Sequence, residues 1–275
     1  MRKMYTLDHL LYLMARLRDP IDGCAWDRKQ TLTSINHSTI EEAYELVDAL
    51  QQSMKESGKA NDHVQEELGD VLFQVVFYSQ LAKEDNSFQF GDVVNGLVEK
   101  LIRRHPHVFP GESLTARASD LNKSEEAIKT SWETIKQTER KDKSQQGVFD
   151  DIPRALPALI RAQKIQKRAS NIGFDWPNAQ AALHKVEEET VELRHALIHE
   201  SPERAEEELA DLLFSCVNVS RLMKSDAEST LEKANLKFQR RFQYIEKKLL
   251  NNNSSLEEAS LAVMDELWEE AKRSE

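Results

Sequence analysis

What most constrains this chain is that its sequence states one acidic pattern twice. EEAYE at Glu41–Glu45 returns as EETVE at Glu188–Glu192, and EELGD at Glu66–Asp70 returns as EELAD at Glu207–Asp211. Each second motif leads into a strongly apolar run, VLFQVVFY in the first half and LLFSCVNV in the second. KLIRR at Lys100–Arg104 is answered by KFQRR at Lys237–Arg241, and Trp132 stands four residues before Lys136 as Trp268 stands four before Lys272. Landmarks kept in one order at nearly constant spacing imply a duplicated domain, so the fold is one that can be built twice in tandem.

The repeated unit reads as helical. Ile40, Ala43, Tyr44 and Val47 recur at helical spacing in the first half, as do Val186, Leu193 and Leu197 in the second, the stripe an amphipathic helix turns toward a core. Only 8 Gly and 7 Pro occur in 275 residues, less than half the usual share of about 12%, so the turns of a β-rich chain are missing. The fold class expected is all-α, a tandem of duplicated bundles with four or five helices each, Pro106 ending the basic helix of the first. The polar stretch Thr138–Asp151, TERKDKSQQGVFDD, precedes Pro153 and reads as the connection. This places a first helical domain at 1–140, a linker at 141–152 and a second domain at 153–275.

Thirty-seven Lys and Arg against 48 Asp and Glu leave a net charge of −11, which disfavours a general nucleic-acid binder. No stretch approaches the roughly 18 uncharged apolar residues of a membrane span, and Asp8 and His9 interrupt the apolar segment after Arg2 and Lys3. Neither a membrane helix nor a signal peptide is expected. Cys24 and Cys216 lie far apart without metal-type spacing and read as reduced thiols of a cytoplasmic protein.

Glu42 with Glu45, and Glu189 with Glu192, are three residues apart, so each pair projects from one helix face within reach of a shared ion. A solvated acidic face has the same spacing, and on the first helix the pair lies roughly opposite the apolar stripe. Glu67 with Asp70, and Glu208 with Asp211, are more telling because each pair leads into a helix apolar almost all round. Carboxylates carried into a buried helix must be hydrogen-bonded, paired with Lys or Arg, or bound to a metal. If the two acidic helices of a half face one another, Glu42, Glu45, Glu67 and Asp70 converge in one half and Glu189, Glu192, Glu208 and Asp211 in the other. Four such anions repel without a cation. All-oxygen coordination selects a hard ion, Mg²⁺ first with Mn²⁺ or Ca²⁺ behind it, while a carboxylate di-iron bundle needs two ExxH pairs and the chain has one, Glu192 with His195.

Lys100, Arg103 and Arg104, like Lys237, Arg240 and Arg241, stand at i, i+3 and i+4 and make one cationic patch per repeat. Such residues offset a helix dipole by about 0.3–1 kcal/mol each, but beside a bound cation they also suit a polyphosphate, whose oxygens Arg grips in bidentate fashion. Trp132 and Trp268 are either core or a surface for a base. Trp26 and Trp176, each beside an Asp, read as packing, and His105 and His107 as loop or cap residues.

The arrangement EExxE followed by ExxD resembles the MazG nucleoside triphosphate pyrophosphohydrolases of the all-α NTP pyrophosphatase superfamily. CAWDRKQT, VQEELGDVLFQVVFY, RRHPHVF, DDIPRALPALIRAQKIQKRA and GFDW resemble segments of two-domain bacterial MazG, so the likeness spans nearly the whole chain. The resemblance implies MazG-type domains, usually assembled as a homodimer, that bind ATP or another NTP and cleave it to NMP and pyrophosphate. It further implies metal ligands at Glu189, Glu192, Glu208 and Asp211, and nucleotide contacts at Lys185, Lys237, Arg240, Arg241 and Trp268. Glu42, Glu45, Glu67, Asp70, Lys100, Arg103, Arg104 and Trp132 match in the first half. The position of Lys185 is Ser38 there, which removes one cation from that phosphate grip.

A metal ion on these carboxylates would bind polyphosphate and acidify a water for attack on the α-phosphorus. Glu188, Glu41 or the ligand Glu192 are the candidate general bases, which spacing does not separate from ligands. The competing reading is a non-catalytic helical scaffold or a regulatory nucleotide-binding module, in which the acidic and basic faces serve only as interaction surfaces.

Overall fold

The computed structural model describes residues 4–56, 58–117, 124–142 and 147–275, without the side chains of Lys129, Gln137, Arg140, Lys141 and Asp142. Every regular element among the described residues is a helix, with no strand among them. In chain order the helices are α1 (Leu7–Leu17), α2 (Asn36–Glu56), α3 (Asp62–Glu84), α4 (Phe90–Arg104), α5 (Glu125–Asp142), α6 (Ala158–Ser170), α7 (Ala179–His199), α8 (Pro202–Leu222), α9 (Ala227–Asn251) and α10 (Leu261–Ser274), with short 3-10 turns at Asp27–Lys29 and Pro110–Glu112. Two compact units divide the chain, Met1–Lys136 and Gln137–Glu275.

In the first unit α2 and α3 lie side by side, and α1 and α4 pack on α3. The core forms where the apolar run after Asp70 meets α1: Met14, Ile35, Val76, Phe77 and Leu81 are buried, with Leu10, Leu11, Phe73, Tyr78 and Phe90 closing over them. Each fully buried side chain of this size contributes roughly 1.5–3 kcal/mol. Polar pins set the register. Thr39 Oγ1 donates to the Tyr78 hydroxyl at 2.9 Å, and that hydroxyl donates to Asn36 Oδ1 at 3.0 Å, tying α3 to the start of α2. Arg18 at the end of α1 grips Glu84 at the end of α3 through Nε at 2.8 and 2.9 Å. α4 stops at Arg104, His105 being its C-cap and Pro106 following.

In the second unit α7 and α8 form the main pair, α6 packs on α8 and α9, and α10 on α9. Asn178, Ser201, Asp226 and Ser260 each cap the helix that follows, accepting from a backbone N–H of its first turn, worth about 1 kcal/mol apiece. Gln163 of α6 clasps the turn between α8 and α9, donating to Ser225 O at 3.2 Å and accepting from Ala227 N at 3.1 Å.

Of the expected linker, residues 143–146 lie outside the described residues, α5 continues to Asp142, and the rest belongs to the second unit, which begins at Gln137. Ile152 is buried and Asp151 pairs with Arg168 of α6. The helical stripe expected to face the core of the first unit does not lie there: Ile40, Tyr44 and Val47 are about half exposed, and the buried positions of α2 are Ala49 and Ser53. On α7 Leu197 is likewise exposed while Val186 and Leu193 are half-buried. Periodicity locates an apolar face but not what covers it.

Candidate active site

In both units the paired acidic motifs sit on consecutive helices that pack together, so residues at similar distances from the connecting turn meet. Glu42 of α2 meets Glu67 and Asp70 of α3, and Glu189 of α7 meets Glu208 and Asp211 of α8; in each trio one oxygen from every carboxylate lies within 4.8 Å of the others. Glu45 and Glu192, one turn further along, stay exposed and outside these trios. They are not remote electrostatically. Partial loss of hydration first, then the charge of Glu189, raises the Glu192 carboxyl above the usual carboxylate range; the same loss first, then Asp70 and Glu45, does so for Glu42.

Each trio has a nitrogen partner one turn away on its own helix. Lys185 Nζ reaches Glu188 at 2.7 Å and Glu189 at 2.8 Å, and the hydrogen bonds it donates to these two carboxylates raise the Lys185 pKa. Arg204 pairs with Glu208, and in the first unit His63 stands 3.3 Å from Glu67. The salt-bridge alternative for the buried carboxylates is therefore realised, but only in part. Glu67 Oε2 and Glu189 Oε2 are buried and accept no hydrogen bond. Orphaned anionic oxygens of this kind are costly, and a divalent cation held by three carboxylates removes the cost. On this observation the residues present fit a hard metal ion.

Glu188 lies on the exposed side of α7 with one oxygen taken by Lys185, and Glu41 is exposed on α2. Of the second cationic triplet, Lys237 and Arg240 are exposed, and Arg241 is half-buried with its guanidinium 5.5 Å from the Trp268 ring centre. Trp268 packs against Phe238 at 5.0 Å between ring centres. Arg241 donates to Glu275 at 2.6 and 3.2 Å, and Arg240 lies 3.9 Å from the same carboxylate, so the Glu275 pKa is lowered first by the Arg241 hydrogen bond. The patch thus already holds an oxyanion. In the first unit Lys100, Arg103 and Arg104 occupy the end of α4, while Trp132 of α5 sits 5.4 Å from the His105 ring and carries Lys136 over its face at 5.1 Å.

Sequence reasoning overlooked Arg204 and His63, although each stands one helical turn before its carboxylate and was readable from spacing. It also overlooked a cavity of about 710 Å³ in the second unit, in which Lys185, Glu189 and Asp211 share a wall with Phe149, Phe174, Trp176 and Phe214. That space is assembled from segments distant in sequence. The packing role expected of Trp26 and Trp176 is not what the structure has, since Trp26 is 60% exposed and Trp176 42% exposed.

Two facing helices that gather carboxylates beside lysine and arginine define a helical class of protein whose site suits a hard cation and a phosphate group. The MazG nucleotide pyrophosphohydrolase domain matches residues 30–109 and 178–245, which hold both carboxylate trios. The chain is 44% identical over 276 residues to the nucleoside triphosphate pyrophosphohydrolase of Escherichia coli (strain K12), covering 99% of each chain. It is 43% identical over 268 residues to the nucleoside triphosphate pyrophosphohydrolase/pyrophosphatase MazG of Thermotoga maritima, covering 96% of this chain and 95% of that one. The Bacillus subtilis protein YabN is 39% identical over 265 residues, which are 51% of its length. The chain belongs to the MazG family. Among its described residues no helix is long and apolar enough to cross a membrane.

Proposed function

We propose that this chain is a nucleoside triphosphate pyrophosphohydrolase, hydrolysing an NTP between the α- and β-phosphates to NMP and pyrophosphate with Mg²⁺. The observation that carries the reading is the buried trio Glu189, Glu208 and Asp211, with Glu189 Oε2 lacking a hydrogen-bond partner and Lys185 beside it. Full-length likeness to relatives that bear this activity in their names supports it. When bound there, Mg²⁺ supplies charge neutralisation for the polyphosphate and a more acidic water. Glu189, Glu208 and Asp211 would hold it, with Glu192 one turn further along α7. Lys185 is placed to donate to phosphate oxygens while Glu188 and Glu189 keep it in position. Glu188 and Glu192 are the carboxylates available to take the proton of the attacking water. Lys237, Arg240 and Arg241, with Trp268, take the rest of the nucleotide, the Glu275 carboxylate marking how the two arginines receive an oxyanion.

The first trio, Glu42, Glu67 and Asp70 with Glu45 nearby, also takes a cation, with Lys100, Arg103, Arg104 and Trp132 as its nucleotide side. Its hydrolysis is the weaker, because Ser38 replaces Lys185. Homodimer assembly belongs to the same proposal, supported by the apolar Ile40, Tyr44, Leu68 and Leu72 left exposed on α2 and α3. Purified protein incubated with each common NTP and Mg²⁺ should release pyrophosphate and NMP, and should stop on chelation. A scaffold would release neither.

A further inference from the structure

We propose that Arg204 is a built-in countercharge for the second carboxylate trio, bound to Glu208 in the metal-free chain and given up when the cation enters, so that it weakens the hold of the trio on that cation. The inference rests on the reading of Glu189, Glu208 and Asp211 as a metal site and names a residue that regulates it. Glu208 is 5% exposed, and Arg204, one helical turn before it on α8, places Nη2 on its Oε1. A buried carboxylate without a partner is very costly, so something must neutralise Glu208 until a metal does. A guanidinium stays protonated throughout the working pH range of a protein, which makes Arg204 a permanent occupant. A divalent ion drawn to the three carboxylates, whose oxygens lie within 4.8 Å of one another, meets that charge as a repulsion.

The position of Arg204 serves the trio and not its own helix. Ser201 caps α8 and accepts from Arg204 N at 3.3 Å, which puts Arg204 in the first turn, where the helix dipole favours an acid and opposes a cation. Lys185 lines the cavity that Glu189 and Asp211 share, whereas Arg204 is not among the residues that do. The two cations therefore differ in role: Lys185 faces the space open to phosphate, and Arg204 only balances charge. Arg204 also has partners to fall back on. Its side chain is half exposed, Nη1 donates to Glu207 Oε2 at 2.6 Å, and Nε lies 3.6 Å from Glu200 Oε2. Both of those carboxylates stand outside the trio, so departure from Glu208 leaves the guanidinium paired. The same place before Glu67 holds His63, at 3.3 Å, an imidazole and not a fixed cation, so the device belongs to the second unit.

The test is Mg²⁺ binding by calorimetry to the full chain carrying Asp70→Asn, which removes a carboxylate of the first trio, with the thermal midpoint read on the same samples. Adding Arg204→Met should tighten Mg²⁺ binding by about three- to tenfold, between the effect of an exposed pair and that of a buried charge-assisted contact. It should lower the midpoint without Mg²⁺ and spare it at saturating Mg²⁺, because tighter binding returns what the metal-free state loses. Arg204→Lys keeps the charge and should stay within about twofold of the parent. Weaker binding in Arg204→Met, by the roughly ten- to hundredfold that loss of a supporting partner causes, would make Arg204 a holder of Glu208 for the metal and overturn the proposal. Unchanged affinity would overturn it as well, and so would a midpoint lowered equally with and without Mg²⁺. If neither the parent nor Arg204→Met binds Mg²⁺, the metal site itself falls and the proposal with it. A chain that binds Mg²⁺ in the expected pattern yet releases no pyrophosphate from ATP would sink the hydrolase reading alone.

Discussion

Lys185 Nζ lies 2.8 Å from Glu189 Oε1, one helical turn before it, whereas the equivalent Ser38 places its hydroxyl 3.3 Å from the His37 ring and adds no charge beside Glu42. Removing a charge-assisted contact to phosphate costs about 1.5–3 kcal/mol, roughly ten- to a hundredfold in rate or affinity. Lys185→Met should therefore lower kcat/KM by that factor with helix content unchanged, and Ser38→Lys should raise nucleotide affinity of the first unit in an Asp211→Asn background. Steady-state kinetics showing wild-type kcat/KM for Lys185→Met would remove Lys185 from the phosphate grip.

The two trios should contribute unequally. In the full-length protein Asp211→Asn and Glu192→Gln should each cut turnover by at least about a hundredfold, the scale of losing a group that stabilises transition-state charge. Asp70→Asn should keep it within about threefold. Intact proteins are the right comparison, because Phe149 and Ile152, upstream of Pro153, are built into the second unit. Similar losses from both aspartates would mean two equivalent sites.

Metal binding should be visible without turnover. A ligand that binds only the folded state stabilises it by about 2.7 kcal/mol at a hundred times its Kd, so Mg²⁺ should raise the thermal midpoint and chelation should lower it. Glu208→Gln should abolish most of that rise, since Glu208 is buried in the second trio. A midpoint indifferent to Mg²⁺ in wild type would favour Lys185 and Arg204 as the only countercharges.

Much of this was legible in the sequence, and the reason is that ligand spacing is local. Glu42, Glu67 and Asp70, or Glu189, Glu208 and Asp211, announce themselves by a three-residue period on two adjacent helices, and the repeat says that both sets matter. Burial is not local. Ile40, Tyr44 and Val47 have core periodicity yet are half exposed, because a stripe records apolarity and not a neighbour. Trp176 read as packing for the same reason: its cavity needs Phe149, the turn after α6 and Asn218 of α8, which only the fold brings together.

The acid side of the stability profile should report on Arg18 and Glu84. Burial acts to raise the Glu84 carboxyl, but the hydrogen bonds from Arg18 and Gln80 and the Arg18 charge outweigh it, and the net shift is downward. A carboxylate whose folded pKa is depressed contributes stability above its unfolded value, about 4.3, and that contribution is lost as pH falls through the folded pKa. Glu84→Gln should cost roughly 1–2 kcal/mol at pH 7, discounted because solvent reaches a third of the carboxylate. The gap to wild type should close below about pH 4. Urea melts across pH 3–7 test it, and a constant gap would assign the cost to packing instead.

The central claim is the bond that breaks, and product identification tests it most directly. Wild-type protein supplied with an NTP and Mg²⁺, its products separated by ion exchange, should yield NMP and pyrophosphate in equal amounts. Accumulation of NDP with orthophosphate would contradict the account even if the reaction required the metal and the carboxylates named here.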